Sequence, residues 1–210
     1  MEIIKDYYFT IRKDSICEIK VKGSRFIGHA FSAVTRDQAE EKIEFIRKKH
    51  HNATHNCFAY RTGNSDSSIF RFSDDGEPSG TAGRPILEAI DSRDLTDVVV
   101  IVTRYFGGTK LGTGGLARAY GGCASDVLKS AELQKKVIFQ RIAIKFPYEL
   151  TGQVMNTVSR TECRVSGTKY ESQTEMILDV RISIVDQFIK KINDACSGRV
   201  VCRKGEVLRN

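Results

Sequence analysis

A chain of 210 residues with 40% hydrophobic side chains, 28% charged ones and only three prolines has the makeup of a folded protein, which excludes disordered and collagen-like polymers. The opening MEIIKDYYFTIRKD is charged every few positions and lacks the apolar stretch of a secretory signal. No later run reaches bilayer length, so a cytoplasmic protein without a membrane segment is expected. Lys and Arg number 33 against 26 Asp and Glu, and the resulting net charge of +7 favours acidic partners such as nucleic acid.

After a strand-like opening, EIKVKGSRFIGHAFSAV (18–34) alternates polar and apolar residues around Gly23 and Ser24, as a hairpin does. RDQAEEKIEFIRKKHH places Ala39, Ile43 and Ile46 at helical spacing, with acids early and bases late; Thr35 and Gln38 supply a capping box. HNCFAYR and SSIFRFS read as strands flanking the turn-rich TGNSDS, and of the histidines only His55 is expected on an inner strand. SDDGEPSGTAG (73–83) is a loop, and GRPILEAIDS a short helix. VVVIVTRYF from Val98 is a continuous β-branched run, the mark of a strand buried on both faces. GGTKLGTGG leads into a helix over LARAYGGCASDVLKSAELQKK, where Gly121 and Gly122 point to close packing of another backbone.

Beyond Lys136 the pattern changes. VIFQRIAIKFPY reads as a strand, ELTGQVMNTVSRT as a helix, CRVSGTKYES and EMILDVRISIV as a hairpin, DQFIKKINDACSG as a helix and RVVCRKGEV as a strand. This βαββαβ order fits a ferredoxin-like domain, giving an expected division into residues 1–135 and 136–210. The first part holds 20 Lys and Arg against 18 Asp and Glu, the second 13 against 8, so the smaller part carries most of the positive excess. Six cysteines without a Cys-x-x-Cys pair read as reduced thiols, and the His51, His55, Cys57 cluster lacks a second pair of zinc-site spacing; no metal is expected.

Residues 103–118, TRYFGGTKLGTGGLAR, place five glycines beside Arg104, Lys110 and Arg118 between a buried strand and a helix. Glycine lets backbone amides approach a ligand, and a helix start offers unpaired donors, so Gly107, Gly108, Gly112, Gly114 and Gly115 with Thr109 and Thr113 suit an anion. The same glycines also serve a tight strand-to-helix turn, and both readings stay open. No P-loop is present, and Gly112-x-Gly114-x-x-Ala117 lacks the βαβ continuation of a dinucleotide fold. Asp74, Asp75 and Glu77, with His55, Ser79 and Thr81, form a second candidate loop that serves either as a solvated turn or as a metal or proton-transfer site. No nucleophile elbow is recognisable, so no catalytic residue and no cofactor are assigned.

SDDGEPSGTAGRPIL, VVVIVTRYFGGTKLGTGGLARAYG, SRFIGHAFSAV and HNCFAYR together resemble the YigZ/IMPACT family. The resemblance covers about the first 130 residues; the remainder is similar to the family's bacterial architecture in element order. It implies an α+β protein whose N-terminal domain resembles translocation-factor domain IV and a ribosomal-protein-type βαβ fold, followed by a ferredoxin-like domain resembling that factor's domain V. It also implies a role in translation or its regulation, with RNA or a ribosome-associated protein as partner. The eukaryotic relatives are associated with restraining a starvation-activated kinase of translation initiation, and they carry a different accessory domain. Two alternatives stay open: an enzyme acting on a small phosphorylated or nucleotide substrate, and a protein-interaction module without nucleic acid.

Overall fold

The computed structural model describes residues 5–63 and 68–209, so the centre of the TGNSDS turn lies outside the described residues. The described residues divide into two compact units, residues 9–135 and residues 136–209, and residues 5–8 group with the latter. Each unit is α+β and built on an antiparallel sheet.

In the unit of residues 9–135 the sheet runs β2 (Ser15–Val21), β3 (Ser24–Ser32), β6 (Val98–Tyr105), β4 (His55–Thr62), β5 (Ile69–Ser73). β6 is central, and all its residues from Val98 to Arg104 are buried, as its β-branched run requires. Alternation then divides its side chains between two cores. Val98, Val100 and Val102 meet α2 (Gly83–Asp91) and α3 (Gly112–Ser130). Val99 and Ile101 meet Ala39, Ile43 and Ile46 of α1 (Arg36–Lys49) on the opposite face.

The Thr35 cap of α1 forms, its Oγ1 accepting from the amide of Gln38, while the Gln38 side chain reaches one residue past the cap and accepts from the amide of Val34 instead of closing the box on Thr35. α3 differs from the helix read in the sequence. It starts earlier, taking in Gly112 to Gly115, and stops at Ser130, because Leu133 onward enters β7. Gly121 packs on Pro85 of α2, whereas the space beside Gly122 is open. His55 is not the one inner-strand histidine: His29 lies on β3 and is buried, at a position where the alternating pattern gave no separate signal.

In the second unit β7 (Leu133–Phe146) pairs with β9 (Thr174–Arg181) on one side and β10 (Val201–Arg209) on the other, and β9 pairs with β8 (Cys163–Tyr170). The sheet has five strands, ordered β1 (Tyr7–Ile11), β7, β9, β8, with β10 also pairing with β7, so that β10-β7-β9-β8 is a run within it; α4 (Thr151–Ser159) and α5 (Val185–Ala195) close over Ile142, Ile144, Phe146, Met176, Leu178 and Val180. β1 (Tyr7–Ile11) begins in this unit: the Asp6 carbonyl accepts from the Ile138 amide, and the Asp6 carboxylate accepts from Ser183 and pairs with Arg181.

Candidate anion-binding site

The two-residue period that puts Val98, Val100 and Val102 against α2 and α3 carries Arg104 onto the same face, at the end of the buried strand. The chain there is 5% exposed, too little for a bare guanidinium, and the structure supplies partners. Arg104 Nη1 donates to Glu77 Oε1 at 2.6 Å and Nη2 to Ser24 Oγ at 3.3 Å. Tyr120, about one turn further along α3 than Leu116, donates its hydroxyl to the same Glu77 oxygen at 2.8 Å. Burial pushes the Tyr120 phenol well above its ordinary range, so it remains a donor. The His55 ring sits behind, with Nε2 3.8 Å from Glu77 Oε1 and Nδ1 2.8 Å from the carbonyl of Asp75. Arg104 Nε is buried without a hydrogen-bond partner.

The acidic loop holds its own backbone. Asp74 Oδ1 accepts from the amides of Ala82 and Gly83 and Oδ2 from that of Gly80, so this side chain satisfies the start of α2 from nine residues upstream. Asp75 Oδ2 accepts from the Asn56 amide at 2.7 Å and Oδ1 pairs with Arg47 at 3.2 Å. The Cys57 thiol donates to the carbonyl of Asp74 at 3.0 Å, and burial pushes its pKa up. Thr81 is buried and bonds the carbonyl of Pro78, whereas Ser79 is exposed. Of the three carboxylates, only Glu77 faces the space between the two loops.

The glycine-rich segment is pinned at one end and open at the other. A Cβ on Gly107 would fall 1.9 Å from the Gly23 carbonyl carbon, so only glycine lets this loop lie on the β2–β3 turn; its amide donates to Ser24 Oγ. Gly112 has φ 70° and open space beside it, and no side chain caps the start of α3. Thr109, Lys110, Thr113, Gly114 and Arg118 are exposed.

A cleft of about 380 Å³ lies between the loops, lined by Glu77, Pro78, Arg104, Phe106, Lys110, Leu111, Gly112, Thr113 and Leu116. It brings Glu77 of one candidate loop to Arg104, Lys110, Gly112 and Thr113 of the other. Arg118 lines a separate hollow of about 220 Å³ with Lys22 on the flank of α3. His55, Asp74 and Asp75 stand behind the cleft as its frame. Sequence reasoning missed Ser24, Tyr120 and the apolar wall of Pro78, Phe106, Leu111 and Leu116. Tyr120 was legible in principle, since it lies four residues after Leu116 on the buried stripe of α3.

Residues 22–128 match the model of the Impact N-terminal domain, and residues 144–199 match a domain of unknown function, DUF1949. The protein described as IMPACT family member YvyE of Bacillus subtilis is 36% identical over 200 residues, 95% of this chain and 92% of that one. The chain belongs to the IMPACT family. IMPACT family member YigZ of Escherichia coli is 32% identical over 181 residues, covering 85% of this chain and 88% of that protein. A solved structure titled as that of a hypothetical protein is also similar, with a TM-score of 0.70, 27% identity and coverage of 97% and 99%. Every residue of the cleft lies within the Impact N-terminal match, so the cleft is a feature of the part that defines this IMPACT-family chain.

Proposed function

We propose that this IMPACT-family protein is a non-enzymatic binding protein of translation or its regulation, which holds RNA or a ribosome-associated partner through the glycine-rich, basic mouth of residues 9–135. The observation that carries this reading is the cleft itself. Arg104, Lys110, Thr113 and the uncapped start of α3 converge on it, and amides with a partial positive charge next to cations suit phosphate oxygens. The strand order β10-β7-β9-β8 with two covering helices supports a ferredoxin-like second domain, and the family resemblance supports a translocation-factor-like first one. Both belong to fold groups that meet RNA, which is analogy and adds to the site chemistry without replacing it. A cytoplasmic home fits six free thiols. Among the described residues no helix is long and apolar enough to cross a membrane.

The hydrogen bonding weighs against the enzyme alternative in its metal form. All four oxygens of Asp74 and Asp75 accept from backbone amides or Arg47, which leaves Glu77 as the one carboxylate on the cleft.

Fluorescence anisotropy with labelled ribosomal RNA fragments, and co-sedimentation with ribosomes, test the proposal. The affinity is expected to fall steeply with salt and to weaken at least tenfold in the charge-reversed Lys110→Glu, Arg118→Glu double variant. Salt-independent binding, or full binding by the double variant, defeats it.

A further inference from the structure

The cleft in front of Arg104 has two chemically different walls. Glu77, Arg104, Lys110 and Thr113 are polar, whereas Pro78, Phe106, Leu111 and Leu116 are apolar. A site for phosphate alone has no use for the second wall, since burying apolar surface against an inorganic ion gains nothing. The volume of about 380 Å³ also exceeds what one phosphate fills and lies at the small end of pockets that hold a small organic molecule.

Phe106 supplies the feature that separates the candidates. It is 48% exposed at the cleft, an unusual place for a phenyl ring, and the Arg104 guanidinium carbon stands 5.4 Å from its centroid. That cation is itself fixed by Glu77 and Ser24. The ring is therefore held in place by a group that cannot swing away, and a positioned aromatic surface stacks on any planar base. Arg104 itself is nine-tenths buried at the cleft, with Nη1 and Nη2 held by Glu77 and Ser24, so it is a fixed part of the floor.

We propose that the cleft receives one nucleotide, with its phosphate at the Gly112 and Thr113 end beside Lys110 and its base stacked on Phe106. The unit is a nucleoside monophosphate, either free or as an unstacked residue of single-stranded RNA. Duplex RNA is excluded as a direct occupant, because its bases are stacked inside the helix. The inference rests on the binding reading above and narrows it from phosphate recognition to recognition of a single exposed base.

The chain contains no tryptophan, so the emission of a 2-aminopurine probe is read without interference from that residue. The experiment titrates the full chain into 2-aminopurine riboside 5′-monophosphate and, separately, into a short single-stranded oligoribonucleotide carrying one 2-aminopurine. Inorganic phosphate is the competitor. Saturable quenching is expected from at least one probe, and which of the two binds distinguishes a free nucleotide from a unit of RNA. Phe106→Ala is expected to weaken probe binding about five- to 150-fold, the range for losing one base stack. Phe106→Leu, which keeps apolar bulk without an aromatic face, is expected to follow Phe106→Ala, while Phe106→Tyr restores binding. Competition by inorganic phosphate is expected to be unchanged in Phe106→Tyr. No quenching of either probe alongside intact, salt-dependent ribosome binding overturns the nucleotide inference and leaves the binding reading standing. Loss of both overturns the two together, and equal binding by wild type and Phe106→Ala overturns the stacking that the inference requires.

Discussion

Arg104 and Glu77 meet at 2.6 Å with side chains 6% and 4% exposed, the most buried ion pair among the described residues. Such a pair need not add net stability over an apolar replacement, but removing one partner strands the other charge out of water. Arg104→Ala and Glu77→Ala are each expected to cost about 3–5 kcal/mol, whereas the double change to Met and Leu costs less than the two single changes summed. Tyr120→Phe, which removes one donor to the same oxygen, is expected to cost about 1 kcal/mol. Hydrogen exchange at the β6 amides, read in denaturant, measures all four. Single variants as stable as wild type would mean that the pair is not held as described.

Asp74 sits at the head of α2 with three backbone amides on its carboxylate. Asp74→Ala is therefore expected to destabilise residues 9–135 by about 1–2 kcal/mol, and Asp74→Asn, which keeps one acceptor, by less. Magnesium is expected to leave the melting temperature of wild type and variant equally unmoved. Stabilisation of the wild type by magnesium that Asp74→Ala loses would restore the metal-site reading of this loop.

How much of this was readable from the sequence differs between elements. β6 declared itself through the unbroken apolar or β-branched run of six residues from Val98 to Thr103, because a strand covered on both faces has no alternating solvent-facing positions. The cap of α1 was equally plain, since its chemistry is local. The glycine-rich loop showed where backbone amides are open to a ligand, but not that Arg118 would turn to a different hollow from Lys110. Seven residues of loop and helix lie between them, and which side of the helix start each occupies is settled by packing against β2. Tyr120, Ser24 and Glu77 come together from 96 residues of chain around one oxygen and one guanidinium, a meeting that spacing alone does not encode.

We propose that the two compact units are separable domains, and their contents make the idea testable. Asp6 belongs with residues 136–210, where its carboxylate holds Arg181 and Ser183. Calorimetry of the full chain is expected to resolve two transitions. Asp6→Ala lowers one, by an amount equivalent to about 1 kcal/mol, and Asp74→Ala lowers the other. One transition shifted by both variants indicates a single cooperative core.

His29 gives the protein a predicted weakness to mild acid. It lies on β3, 4% exposed, stacked on Phe31 and 5.4 Å from the ring of His50, with Nε2 lacking a hydrogen-bond partner. Burial lowers its pKa from 6.5 to about 4, helped by the neighbouring His50 and Lys49 charges. His50, which bonds the Tyr105 hydroxyl at 2.9 Å, is shifted the same way by burial. Between pH 6.5 and about 4 the unfolded chain takes up a proton at His29 that the folded chain refuses. The unfolded state then binds more protons, so stability rises with pH across that window and is lost as pH falls through it. The whole shift corresponds to at most about 3 kcal/mol. Replacing the ring by an apolar side chain, His29→Leu, removes the titration and flattens the dependence. Urea unfolding at half-unit steps from pH 7 to pH 4.5 measures it, with the wild type expected to lose stability relative to the variant by up to about 1 kcal/mol per pH unit below pH 6.5. Parallel curves would show that His29 takes its proton in the folded state as easily as in the unfolded one, and that the acid response arises elsewhere.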